Sequence, residues 1–138
     1  MADPAAVARL LLARCEAMSI GSPALPVAMP DVAFDPAVKA PDGRYLRVDL
    51  FNNSPLWDGL SIGRIDQGLL QVTVTWPKGK GAIKPLEAAA AVMAHFHKGL
   101  TLYGPGIRVK LNRSPWASSP LFEDSKTLIP VTIPWVAS

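Results

Sequence analysis

Hydrophobic and polar positions alternate most clearly over residues 45–51 and 68–76. In the first segment Leu46, Val48 and Leu50 point one way, and Arg47 and Asp49 the other. In the second, Leu70, Val72, Val74 and Trp76 oppose Gln71, Thr73 and Thr75. A period of two marks a strand, and one polar face on each predicts an antiparallel or mixed sheet covered on one side. Helical spacing replaces alternation in two places. Val7, Leu11, Cys15 and Met18 form a stripe, widened by Ala8 and Leu12, which predicts a helix over residues 5–18. Asp3 suits its N-cap and Pro4 its first turn. Leu86, Ala89, Ala90, Met93 and Phe96 predict a second helix over residues 84–98, ended by Gly99 with Lys98 in the last turn.

The remaining segments are read from their breakers. The proline-rich stretch 23–41 should run extended, with a short strand at 27–29, and Pro41-Asp42-Gly43 is a turn. Residues 100–103 and 107–111 flank Gly104-Pro105-Gly106 as a hairpin. Residues 127–135 form a closing strand, and Pro130 and Pro134, which cannot donate to a ladder, place it at a sheet edge. Residues 52–66 and 112–126 read as long irregular segments. The order helix, strands, helix, strands predicts an α+β fold: a small mixed or antiparallel sheet with two main helices packed on one face, as one domain over residues 1–138.

Composition narrows the function. With 138 residues, 49% hydrophobic and 18% charged, the chain is long and apolar enough to bury a core and is not a disordered tail. Its net charge of +3 is spread along the sequence without the dense basic stripe of a nucleic-acid binder. A single cysteine excludes an internal disulfide and suits a reducing compartment. The Leu10-Leu11-Leu12 run, broken by Arg9 and Arg14, is too short to span a membrane. Synthesis in a cytoplasm, with no membrane partner, is the expectation.

Chemistry is sparse. His95 and His97 stand two apart on a helix, about 200° of rotation, so they cannot share a metal. Cys15 lies on the apolar stripe of the first helix, where an inert thiol is expected. No Gly-x-Ser-x-Gly elbow is present. Pro77-Lys78-Gly79-Lys80-Gly81-Ala82 sits between strand and helix as a phosphate loop would, yet Val74 replaces its first glycine and Gly81 replaces the Ser or Thr after the lysine. Asp31, Asp35, Asp42, Asp49, Asp58 and Asp66 are scattered, and none pairs off as an acid and base. No catalytic, cofactor-binding or metal-binding residue is therefore expected.

What stands out instead is surface. Lys78, Lys80 and Lys84 crowd a helix start, where the helix dipole disfavours positive charge. They point either to an acidic patch on a neighbouring subunit or to a solvated loop tip. Leu56, Trp57, Leu60 and Ile62 occupy one irregular segment, and Trp116, Leu121 and Phe122 the other. Such residues either fold back as a satellite core or meet a partner. A closing edge strand ending in Trp135 adds a rail for strand addition. The assembly-interface candidates are Leu56, Trp57, Lys78, Lys80, Lys84, Trp116, Leu121, Phe122 and Trp135.

A family pattern runs through these elements. The succession Tyr45-Leu46-Arg47-Val48, Gly68-Leu69-Leu70-Gln71-Val72-Thr73-Val74 and Pro77-Lys78-Gly79 resembles the tail-terminator-like, or tail completion, proteins of long-tailed phages. Ala94-His95-Phe96 before Lys98-Gly99, Ile107-Arg108-Val109 and the closing Ile129-Pro130-Val131-Thr132-Ile133-Pro134-Trp135 continue the resemblance, which covers the chain from about residue 25. It rests on order and spacing rather than on any one motif. It implies a small α+β fold, no catalytic or metal residue, and a hexameric ring that caps the tail tube, ends its polymerisation and joins the head. The implied partners are copies of itself, the tail tube protein and head–tail connector proteins in the virion, with DNA only as passing cargo. The rivals are another neck, connector or minor tail protein, and a small enzyme with a pocket between sheet and helices, which would gather titratable groups in a deep polar pocket.

Overall fold

The computed structural model of the chain describes residues 3–21, 24–52, 56–57 and 64–137. In chain order the elements are α1 (Pro4–Glu16), β1 (Val27–Ala28), α2 (Pro36–Lys39), β2 (Tyr45–Asn52), β3 (Leu56–Trp57) and β4 (Arg64–Pro77). They continue with α3 (Ile83–His95), β5 (Thr101–Gly104), β6 (Ile107–Lys110), β7 (Trp116–Ala117), β8 (Leu121–Phe122) and β9 (Lys126–Ala137). The sheet runs β1-β2-β4-β9-β6-β5, with β3 paired to β4 and both β7 and β8 paired to β9. The β1–β2 pair is parallel and the other pairs are antiparallel, so the fold is α+β with a mixed sheet.

Register explains which residues enter the core. Cross-strand partners share a face, and Val48↔Val72 and Val72↔Val131 set three β-branched side chains in one row across β2, β4 and β9. Leu46, Val74 and Ile129 form the next row, and all six are buried. The helices close this face. Asp3 caps α1 by accepting a hydrogen bond from the Ala5 N–H, and Val7, Leu11 and Cys15 are buried where α1 meets β5 and β6. Pro85, Ala88, Ala89 and Val92 are buried where α3 meets β4 and β9, with Phe96 just beyond. Each fully buried Val, Leu or Ile contributes about 1.5–3 kcal/mol. The helix ends are tied together: Arg14 Nη2 donates to the His95 carbonyl at 2.8 Å, and His95 Nε2 lies 2.8 Å from the Arg14 carbonyl.

Several expectations change. Residues 127–135 belong to β9, a central strand paired to β4 along its whole length, and not to an edge. Its prolines are tolerated because the opposite side of β9 is paired only piecewise, by β8 at 127–128, β7 at 131–132 and β6 at 136–137. The Pro130 carbonyl accepts from Ser118 N–H on that side. In a strand the N–H and C=O of one residue face the same way, so the missing N–H of Pro130, and of Pro134 four residues on, falls in the gaps between short partners. The segment 112–126 is not irregular throughout, since it supplies β7 and β8. Likewise Leu56 and Trp57 pair in β3 with Ile65 and Arg64 at the start of β4.

The second sheet face is drier than alternation suggested. Thr73, Thr75 and Thr132 are buried although they oppose the core face. They occupy central strands, beside Tyr45 and Pro130, and Phe34 packs on the Tyr45 ring at 5.2 Å. Toward β2 the face is solvated, and there Arg47 and Asp49 form an exposed ion pair at 3.2 Å. Finally, α3 stops at His95 and not at Lys98, because Phe96 leaves the helical region (φ −112°, ψ 53°) to bury its ring, and the Gly99 N–H (φ 93°) donates to the Leu111 carbonyl.

Candidate assembly surface

Apolar side chains gather at the end of the sheet where β4 stops. There Trp76 pairs with Thr127 and Thr127 with Phe122, so β8 lies close to the loop that leaves β4. That loop turns through Gly79 and Gly81, both at positive φ (83° and 86°), a conformation that glycine adopts without strain. Lys78, Gly79, Gly81, Ala82, Phe122 and Thr127 thereby wall a shallow hollow of about 420 Å³. Phe122 is 67% exposed, and Ile83, the first residue of α3, is 69% exposed.

Residue 83 begins a second apolar stripe on α3. Positions 83, 86, 90 and 94 lie roughly opposite the buried 85, 89, 92 and 96. Ile83, Leu86, Ala90 and Ala94 are all exposed, with Glu87 the charged residue among them. The buried stripe is therefore turned from its expected position: Leu86 and Ala90 face outward, whereas Pro85, Ala88 and Val92 face the sheet. α3 is thus apolar on two sides, one covered by the sheet and one open in the single chain.

The candidates divide. Lys78 and Phe122 come together, with Leu121 next to Phe122 but on the opposite sheet face, since it pairs with Leu128, and Lys80 is exposed in the same loop without lining the hollow. Trp116, 49% exposed, shares that face opposite Thr132, four residues along β9 and about 13 Å away. Lys84 is the second residue of α3, exposed, 3.8 Å from Glu87. Trp135 is corrected. It is 3% exposed, on the core face, because its cross-strand partner is Gly68, which leaves room for the indole. It cannot meet a partner without opening the fold. The side chains of Leu56 and Trp57 lie outside the described part of the structure, as do Leu60 and Ile62.

Sequence reasoning missed a groove on the other flank of α3. It measures about 670 Å³ and is floored by Leu25, Pro26, Trp76, Ala88 and Ala91, with Lys39, Asp42, Arg44, Lys84 and Glu87 around it. The Arg44 guanidinium lies over the Trp76 ring, 4.9 Å from its centroid. That is cation–π distance, and it pins the side chain while its buried Nε finds no acceptor among the described residues. The signal was present only as an arginine before β2 and a tryptophan at the end of β4, far apart in sequence.

The model of the phage tail terminator protein family matches residues 5–135. The chain belongs to that family. It is also similar to solved structures, one of which superposes with a TM-score of 0.73 at 26% identity over 97% of this chain and 92% of the other. No curated protein matches the sequence. Membership makes the chain a structural protein of the phage tail, acting within the virion.

The tail terminator family is structural rather than enzymatic. Burial pushes the Cys15 thiol up to about 12, with the Glu16 carboxylate adding to the shift, so the thiolate is not formed near neutrality. Burial, opposed by the hydrogen bond to the Arg14 carbonyl and aided by the Arg14 charge, holds His95 below its ordinary value. The neutral ring with its proton on Nε2 fits its role as a donor to Arg14. Neither group lines the groove. Among the described residues no cluster of three or more His, Cys, Asp or Glu is placed to hold a metal, and no described helix is long and apolar enough to cross a membrane.

Proposed function

We propose that the chain, folded as one domain over residues 1–138, is the subunit of a hexameric ring that caps the tail tube, ends its polymerisation and provides the surface to which the head is joined. The observation that carries the reading is the apolar surface around the start of α3, where Ile83 and Phe122 are each about two-thirds exposed beside Leu86. Left in water, such a patch is a liability; covered by copies of the same chain and by tail neighbours, it drives assembly at about 25 cal/mol per Å². Membership of the tail terminator family supplies the context. The partners are further copies, the tail tube protein and head–tail connector proteins. The protein is made in the cytoplasm of the bacterial host, and DNA passes through the ring as cargo.

The test is electron microscopy of tail tube protein polymerised with and without the purified chain. The proposal expects six-fold rings at tube ends and shorter tubes as the chain is added. Unbounded tubes with bare ends would contradict it. Decoration of the head connector but not of tubes would assign the chain to the neck instead.

A further inference from the structure

The groove beside α3 and the turn after β8 match each other in a way that neither can satisfy within one molecule. At this end of the sheet the strands run β1, β2, β4, β9, β8, as the registers Val27↔Leu46, Leu46↔Val74, Thr75↔Leu128 and Leu128↔Leu121 show. Lys39 and Arg44 line the groove at the β1–β2 margin, three or four strand spacings, about 15–20 Å, from the β8 margin that carries the turn, while Trp76 on the groove floor is two spacings, about 10 Å, from it. The turn is closed by Glu123 N–H donating to the Lys126 carbonyl. It carries Glu123 and Asp124, exposed and without ion-pair partners among the described residues, directly after exposed Leu121 and Phe122. The groove has the converse make-up. Its floor is apolar, Asp42 is engaged by the Arg44 backbone N–H and Glu87 by Lys84, while Lys39 and Arg44 have no carboxylate partner among the described residues.

We infer that the acidic β8–β9 turn of one subunit seats in the Lys39–Arg44–Lys84 groove of the next. Contact between opposite flanks of identical chains is head-to-tail, and head-to-tail contacts close into a ring when the rotation permits. Arg44, held over the Trp76 ring at the groove wall, keeps its guanidinium charge in place, so less side-chain freedom is lost when a carboxylate arrives. The inference rests on the ring reading and adds to it which surfaces meet.

Charge exchange tests it. The wild type is compared with E123K/D124K, with K39E/K84E and with the fourfold combination, by native mass spectrometry of assemblies formed alone and on tail tubes. All four positions are exposed, and the Lys84–Glu87 pair that is lost is a weak surface pair, so thermal melting should stay near wild type. Each double variant should need at least about tenfold more protein to assemble, and the fourfold variant should recover most of that loss. If E123K/D124K assembles like wild type, or if the fourfold variant is no better than the doubles, the seating is overturned while the ring stands. If K39E/K84E still forms rings but no longer binds tubes, the groove serves the tube protein and the seating is again overturned. A wild type that forms no closed ring even on tubes removes both.

Discussion

Gly68 shows how one missing side chain positions a large one. A Cβ there would run into the Phe51 carbonyl oxygen and come within 2.5 Å of the Trp135 ring. Gly68→Ala should therefore destabilise the fold by about 2 kcal/mol or more, since neither a strand backbone nor a buried indole yields easily. Chemical denaturation checks it, and an unchanged midpoint would contradict the packing described. His95 gives a pH-dependent counterpart. Its folded-state pKa is lowered, so the unfolded state binds more protons than the folded one between the two values. The stability it contributes is present above about 6.5, the ordinary histidine value, and is lost as pH falls from there through the folded value. His95→Gln keeps a donor toward the Arg14 carbonyl without a titrating ring. It should flatten the fall in melting temperature between pH 7.5 and pH 5 relative to wild type, whereas parallel curves would remove His95 as the cause.

At the scale of elements, α3 is central because its two apolar stripes have different surroundings, the sheet on one side and open surface on the other. Ile83→Ser with Phe122→Ser removes exposed side chains only, so stability should move by no more than about 1 kcal/mol while assembly is lost. Thermal melts and sedimentation check the two halves of that statement separately. A large loss of stability would mean that these residues hold the protomer together. The same helix marks the limit of what periodicity reveals. Tyr45–Asn52 and the centre of Arg64–Pro77 were legible because strict alternation has a single structural meaning there. In α3, Leu86, Ala89, Ala90 and Met93 are all apolar, so spacing located the helix but not which side meets the sheet. Pro130 and Pro134 misled for a different reason: a proline excludes a neighbour only at its own N–H, and β9 meets that demand with short, separated partners. The exposed Leu121 and Phe122 were legible as unusual, whereas the Arg44–Trp76 groove was not, since nothing local joins residues 44 and 76.

For the whole molecule, the account is that one face of a mixed sheet and two helices make a self-sufficient core, and that a second set of apolar side chains at the Trp76 end is left for assembly. Long-range pairing does most of the positioning. β4 joins β2 to β9 and carries the chain into the Lys78–Ala82 loop, so both flanks of α3, with their different surfaces, follow from the placement of that one strand. A reconstruction of tail tubes capped by the purified chain tests this claim most directly. The account predicts a six-fold ring at the tube end in which Ile83, Leu86 and Phe122 are covered by neighbouring protein. A capped tube in which those three side chains face open solvent, or tube ends that carry no ring, would contradict it.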